Sequence, residues 1–218
     1  MKIFAAVTSG IFFLSVAGIL WAGDGQGTVP QTGFYLSLTP SAVCPFSVET
    51  TSPSLSPAKT EAQWGVNIGG GLGYRYNDFR VEGEVMYGRS DVDRISFAEG
   101  GGDLSGYYDM WGATINFFYD IPTGTKVRPY VGAGLGGTRF KANDITLAGG
   151  FPPTRGSNTL FTYKLMAGVS YAFTDAWRIL LGYRFMGMGE QDYETGGVPL
   201  HGDSIHTHAI QVGVQFFF

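Results

Sequence analysis

Three clusters in this sequence hold residue types that can do chemistry. The run Gly132-Ala-Gly-Leu-Gly-Gly137 satisfies the glycine spacing with which a strand-to-helix turn cradles a dinucleotide pyrophosphate. His206 and His208, with His201 and Asp203 nearby, put imidazoles at alternate positions, a spacing at which one strand can offer two ligands to a metal. Ser204, His206 and Glu190 supply the types needed for nucleophile, base and orienting acid. A fourth set is dispersed: basic Arg75, Arg80, Arg128, Lys164, Arg178 and Arg184, and acidic Glu82, Glu84 and Asp120, stand singly inside otherwise apolar stretches.

Each chemistry demands a particular supporting element. A pyrophosphate site needs a helix after its glycines, and Thr138-Arg-Phe-Lys-Ala-Asn143 offers none, so the glycine run reads as mid-strand and no nucleotide cofactor is expected. The histidines have no cysteine or carboxylate at a recognisable ligand spacing, and they read as exposed loop and strand-end residues rather than a metal centre. Ser204, His206 and Glu190 all lie in or beside one long polar stretch, so catalysis is not expected of them. A single cysteine, Cys44, excludes an internal disulfide and a cysteine metal cluster. A net charge of −4 with no Lys/Arg run excludes a nucleic-acid partner.

The dispersed charges are explained by the element that carries them. Alternation of period two runs through eight segments: Gly33–Ala42, Gln63–Tyr76, Phe79–Gly88, Tyr108–Ile121, Val127–Phe140, Leu160–Phe173, Trp177–Met188 and His206–Phe218. Each reaches the roughly 9–11 residues that a tilted membrane strand requires. The connections alternate between short turns (Asn77-Asp78, Pro122–Lys126, Thr174–Ala176) and long polar stretches (Val43–Ala62, Arg89–Tyr107, Lys141–Thr159, Gly189–Ile205). The first long stretch, with Pro45, Pro53 and Pro57, reads as extended and mobile. Such alternation predicts an all-β, eight-stranded antiparallel up-and-down transmembrane β-barrel with both ends of the chain on the periplasmic side and the long loops extracellular.

Facing residues in a hairpin share a side of the sheet, which makes the prediction stricter. Pairing Tyr76 with Phe79 sets Tyr74 against Val81 and Ile68 against Tyr87 on an apolar face, and leaves Arg75, Arg80, Glu82 and Glu84 on the other. Pairing Ile121 with Val127 puts Phe117 against Val131 outside, with Asn116, Asp120 and Arg128 inside and Asp120 opposite Arg128. Pairing Phe173 with Trp177 gives Tyr171 against Ile179 and Val169 against Leu181 outside, with Lys164, Arg178 and Arg184 inside. Apolar outside and charged inside is the reverse of a soluble barrel. The nine charges are therefore expected to form a hydrogen-bonded polar plug, with Glu82 diagonal to Arg75 and Arg80. Inward glycines, among them Gly69, Gly71, Gly73, Gly132, Gly134 and Gly136, are expected to make room for long inward side chains, notably arginines and Tyr130. Aromatics at the turn ends (Tyr76, Phe79, Tyr119, Phe173, Trp177, Phe218) and loop ends (Trp64, Tyr87, Phe185) predict two interfacial bands.

Lys2 followed by an apolar stretch to Ala22 has the pattern of a secretory signal over residues 1–22, cleaved after Ala22 or, as second choice, Ala17, leaving residues 23–218 as the barrel domain.

Three stretches resemble the small OmpA/OmpX-like and opacity-protein-like outer-membrane β-barrels, the surface-antigen family. They are Phe79-Arg-Val-Glu-Gly-Glu-Val-Met-Tyr87, Val127-Arg-Pro-Tyr-Val-Gly-Ala-Gly-Leu-Gly136 and Val212-Gly-Val-Gln-Phe-Phe-Phe218. The last resembles the signal read by the barrel-assembly machinery, with Phe218 final and Phe216 and Val214 two and four positions earlier. The resemblance implies a bacterial outer-membrane location, contact with outer-membrane lipid and lipopolysaccharide, and no cofactor. The expected role is structural or interactive, through four extracellular loops, with adhesion to a host or surface ligand as one form of it. The alternatives are a narrow small-solute channel and a lipid-directed enzyme. The stretches typical of lipid A deacylases and omptins are not recognised here, and an eight-stranded barrel is just wide enough for side chains to fill.

Overall fold

The computed structural model describes residues 32–44, 47–52, 55–97, 100–147, 154–195 and 198–218. The leader expected over residues 1–22 and both candidate cleavage points lie outside the described residues. The strands are β1 (Thr32–Val43), β2 (Ser47–Ser52), β3 (Leu55–Tyr76), β4 (Phe79–Phe97), β5 (Gly100–Asp120), β6 (Val127–Leu147), β7 (Thr154–Ala172), β8 (Trp177–Met188), β9 (Gln191–Thr195), β10 (Val198–Gly202) and β11 (Ile205–Phe217). Among the described residues there is no helix.

β1 pairs antiparallel with both β3 and β11, which closes β1, β3, β4, β5, β6, β7, β8 and β11 into an eight-stranded barrel. Closure satisfies every ladder without leaving an open edge, the condition a sheet must meet in hydrocarbon. Leu72, Val85, Ile115, Leu135, Leu165 and Leu181 all point outward and are exposed. Exposed aromatics band the barrel at the turn end (Phe34, Tyr76, Phe79, Tyr119, Phe173, Trp177) and at the loop end (Trp64, Trp111, Phe161).

The long connections differ from their reading as loops. β3, β4, β5 and β6 run for 22, 19, 21 and 21 residues, so the ladders continue well past the last alternating position. The segment 43–62, expected to be extended and mobile, contains β2 and the start of β3, and β2 also pairs with β10. Alternation marks a strand only where its two faces meet different solvents. Beyond the membrane both faces meet water, so the pattern ends while hairpin partners go on pairing.

The register of two hairpins follows the sequence pairing: Tyr76 faces Phe79 and Tyr171 faces Ile179. At the third, the expected Ile121–Val127 pairing is corrected by two residues. Asp120 faces Tyr130, Phe117 faces Ala133, and the Ile121 amide donates to the Pro129 carbonyl at 2.8 Å. The turn explains the slip. Thr125 Oγ1 donates to the Val127 carbonyl at 3.1 Å, Thr123 Oγ1 does so at 2.5 Å, and Gly124 adopts φ 71°. Val127 thereby pairs with Tyr171 of β7 but has no partner on β5, and a slip of two leaves every side chain on its expected face.

Candidate functional site

The inward positions form three tiers from the turn end upward. In the first, Asp120 is the hub. Arg80 grips its carboxylate with Nε donating at 3.0 Å and Nη2 at 2.8 Å to Oδ1. Arg178 Nη1 donates to Oδ2 at 3.2 Å, and Arg75 Nη1 stands 3.0 Å from the same oxygen. Three cations thus share one carboxylate. Their faces are covered by rings: Arg80 lies 4.4 Å from the Phe118 centroid and 5.5 Å from Tyr130, and Arg178 lies 4.9 Å from Phe217.

Above this, Glu84 is the second hub. It accepts from Lys164 Nζ at 3.0 Å, Arg184 Nη2 at 3.0 Å and Asn116 Nδ2 at 2.7 Å, and Lys164 also donates to Thr114 Oγ1 at 3.0 Å. Arg75, Arg80, Glu82, Glu84, Asp120, Lys164, Arg178 and Arg184 are all buried in this interior. Ion pairs gather on Asp120 and Glu84. Glu82 faces Gly73 across the ladder, which places it diagonal to Arg75 and two residues along from Arg80, and its side chain leans over Gly71.

Arg128 is not opposite Asp120, because the two-residue slip puts Tyr130 there. It lies at the turn-end rim, only part-buried, and pairs with Asp78 of the neighbouring turn at 3.0 Å. The inward glycines named from the sequence do lie against long inward side chains, Gly69 against Glu84 and Gly71 against Glu82, but not against the arginines or Tyr130. A Cβ at Gly73 would collide with the Tyr35 ring, and one at Gly132 with Phe118. Tyr130 owes its space to Gly168 and Gly182, against which its hydroxyl rests.

The third tier departs from the charged plug that the sequence predicts. Val43, Met86, Met110, Phe140, Met186, Met188 and Ile205 are buried in one apolar cluster at the loop end of the interior. Its signal was present: Met86 shares the inward parity of Glu82 and Glu84, Met186 that of Arg184, and Met110 that of Asn116 and Asp120. The inward face changes chemistry part-way along each strand.

The remaining candidates are positioned apart from this interior. Gly132–Gly137 lies within β6, its residues paired with β5 and β7 on either side. His206 and His208 point outward, where His206 stacks on Phe185 at 5.7 Å and His208 Nδ1 lies 2.5 Å from the Tyr183 hydroxyl. Ser204 and Glu190 are exposed, and among the described residues no hydrogen bond joins either to His206. His201 pairs with Thr51 and Asp192 through its backbone. Of the terminal residues, Phe216 packs on Trp177 at 4.8 Å and Phe218 is exposed on the outer face.

A closed barrel with an apolar exterior and a filled interior finds its match in a family described as "Outer membrane protein beta-barrel domain", whose model covers residues 13–218. The chain belongs to that family. As an outer-membrane β-barrel it is 28% identical over 200 residues to an uncharacterized protein of Brucella abortus (strain 2308), covering 71% of this chain and 69% of that one. The same figures hold for a protein of Brucella suis biovar 1. Among solved structures, Neisserial surface protein A has 24% identity and a TM-score of 0.52, covering 85% of this chain and 97% of that one. OprG of Pseudomonas aeruginosa has 16% identity and a TM-score of 0.61, covering 86% and 98%. These structures share the fold of this outer-membrane β-barrel.

Proposed function

We propose that this barrel is a non-enzymatic anchor that presents its loop-end hairpins as an interaction surface outside the cell. The observation that carries this reading is the filled interior: two charged tiers and a methionine-rich tier occupy the lumen, so the useful surface lies beyond the membrane. β3 to β6 have 19 to 22 residues each. If roughly 11 of these cross the membrane, the rest project roughly 25 Å from it at the usual tilt. A rigid scaffold presenting projecting hairpins suits contact with a host or abiotic surface.

In this reading both chain ends face the periplasm, residues 1–22 are removed on export, and Val214, Phe216 and Phe218 are read by the assembly machinery. The outer face sits in outer-membrane lipid, with lipopolysaccharide around the loop-end band.

The test is adherence of cells expressing the full chain against cells whose β4–β5 and β6–β7 hairpins are trimmed at their tips, at matched surface levels. Trimming should abolish a gain in adherence to polystyrene or epithelial monolayers, and equal adherence would sink the proposal. Reproducible single-channel steps in a planar bilayer would favour the narrow channel instead, and an altered lipid A mass would favour an enzyme.

A further inference from the structure

The outer face changes character along β6. Its outward residues Val131, Ala133 and Leu135 are apolar, and the next two with side chains, Arg139 and Lys141, are cations. Arg139 is level with Trp111 of β5 and Thr159 of β7, and Lys141 with Asp109 and Ser157. Both cations are exposed, and among the described residues neither forms an ion pair. Asp109 accepts from the Tyr87 hydroxyl at 3.0 Å, and the nearby Arg89 lies 3.6 Å from the Tyr107 ring centroid and 4.0 Å from Asp91. Arg139 is also oriented: its Nε donates to Ser157 Oγ at 2.9 Å, which leaves both terminal nitrogens for another acceptor. Just below it, a Cβ on Gly137 would meet nothing nearer than 3.8 Å. Packing does not require glycine there, and the missing side chain leaves the surface open beside Phe161 and Ala113, its ladder neighbours. On β8 and β11 the loop-end outward positions are instead Tyr183, Phe185, His206 and His208, with no Lys or Arg.

We propose that Arg139 and Lys141 bind a phosphate of a glycolipid headgroup, the phosphorylated disaccharide of lipid A, while an acyl chain of the same lipid lies along β6 over Gly137. Alternate residues of a strand stand roughly 7 Å apart on one face, so a single phosphate fits between the guanidinium and the ammonium. The paired terminal nitrogens of Arg139 match two phosphate oxygens. The exposed hydroxyls of Ser157 and Thr159 stand beside them, where a sugar ring has groups to bond. Trp111 and Phe161 belong to the loop-end aromatic band, which marks the height where hydrocarbon gives way to headgroups. The choice of a glycolipid over a phospholipid rests on the outward placement of the loop end proposed above.

The test uses the full-length barrel purified in non-denaturing detergent, with native mass spectrometry counting bound lipid as lipid A is titrated in. The wild type should hold a first lipid A more tightly than any further copy. Arg139→Gln combined with Lys141→Gln should weaken that first binding roughly tenfold or more, as the loss of two interfacial cations implies. Lipid A stripped of its phosphates should bind the wild type as weakly as intact lipid A binds the variant, and this arm stands even if the variant does not fold. Equal first-site affinity in wild type and variant, or with and without phosphates, would overturn the site. Phosphatidylglycerol bound as tightly as lipid A would overturn the glycolipid assignment. Binding in micelles depends neither on orientation nor on the hairpin tips, so this result and the adherence result can fail separately.

Discussion

The two halves of the barrel interior solve the same packing problem by opposite means. Toward the turn end the lumen is filled by charges that need specific partners, with Asp120 and Glu84 each holding several donors. Toward the loop end it is filled mainly by Met86, Met110, Met186 and Met188 with Phe140 and Ile205, interleaved with a few small polar groups such as the Thr162–Thr138 pair and Asn67, which donates to Met86 Sδ at 4.0 Å. The charged half ties non-neighbouring strands together across the lumen, as where Lys164 of β7 reaches Glu84 of β4. The methionine half tolerates whatever shape closure leaves, since Met has an adaptable side chain.

Breaking the charged half should have the larger effect. Asp120→Ala strands three buried guanidinium groups, and a loss of about 3–5 kcal/mol or more is expected. It should appear as a barrel that no longer resists unfolding by detergent at room temperature. Glu84→Ala should cost a similar or slightly smaller amount, and Glu84→Gln combined with Lys164→Met should recover part of it. Urea titration of lipid-refolded protein measures both, and a double variant no better than Glu84→Ala would show that the pair is not the coupling.

The apolar half should respond to volume alone. Met110→Ala is expected to cost about 2–5 kcal/mol through the cavity it leaves, whereas Met110→Leu should cost less than about 1.5 kcal/mol. The same titration applies, and equal losses for the two would mean that the sulfur has a role beyond filling space. Gly73→Ala pushes a methyl into the Tyr35 ring, with about 1–3 kcal/mol expected; Tyr35→Phe should relieve little of it, because the ring carbons are the obstacle, whereas Tyr35→Leu should relieve more. The smallest effect is expected on the outer face. Arg139→Ala removes one exposed hydrogen bond to Ser157 and should shift stability by under about 1 kcal/mol.

Much of this architecture can be read from spacing. Strand count, outward and inward faces, the aromatic bands and the buried positions of Arg75, Arg80, Asp120, Lys164, Arg178 and Arg184 all follow from a period of two, because parity alone fixes a face. Arg128 shows where parity stops. It keeps its expected parity, yet a threonine-closed turn moves its hairpin by two residues, replaces Asp120 with Asp78 as its partner and leaves it at the rim. Met86, Met110 and Met186 have inward parity in the sequence, but parity fixes only the face and not where along a strand that face turns from charged to apolar.

The sequence by itself determined an eight-stranded barrel turned apolar-side out. Those properties are set within a strand or between hairpin neighbours, where the chain's own periodicity carries the information. Only the tertiary structure decided that Asp120 gathers three arginines, that Glu84 joins Lys164 and Arg184, and that the hairpins run on past the membrane. Those contacts cross the lumen or lie in water on both faces. They depend on closure and stagger, which residues near one another in sequence do not encode.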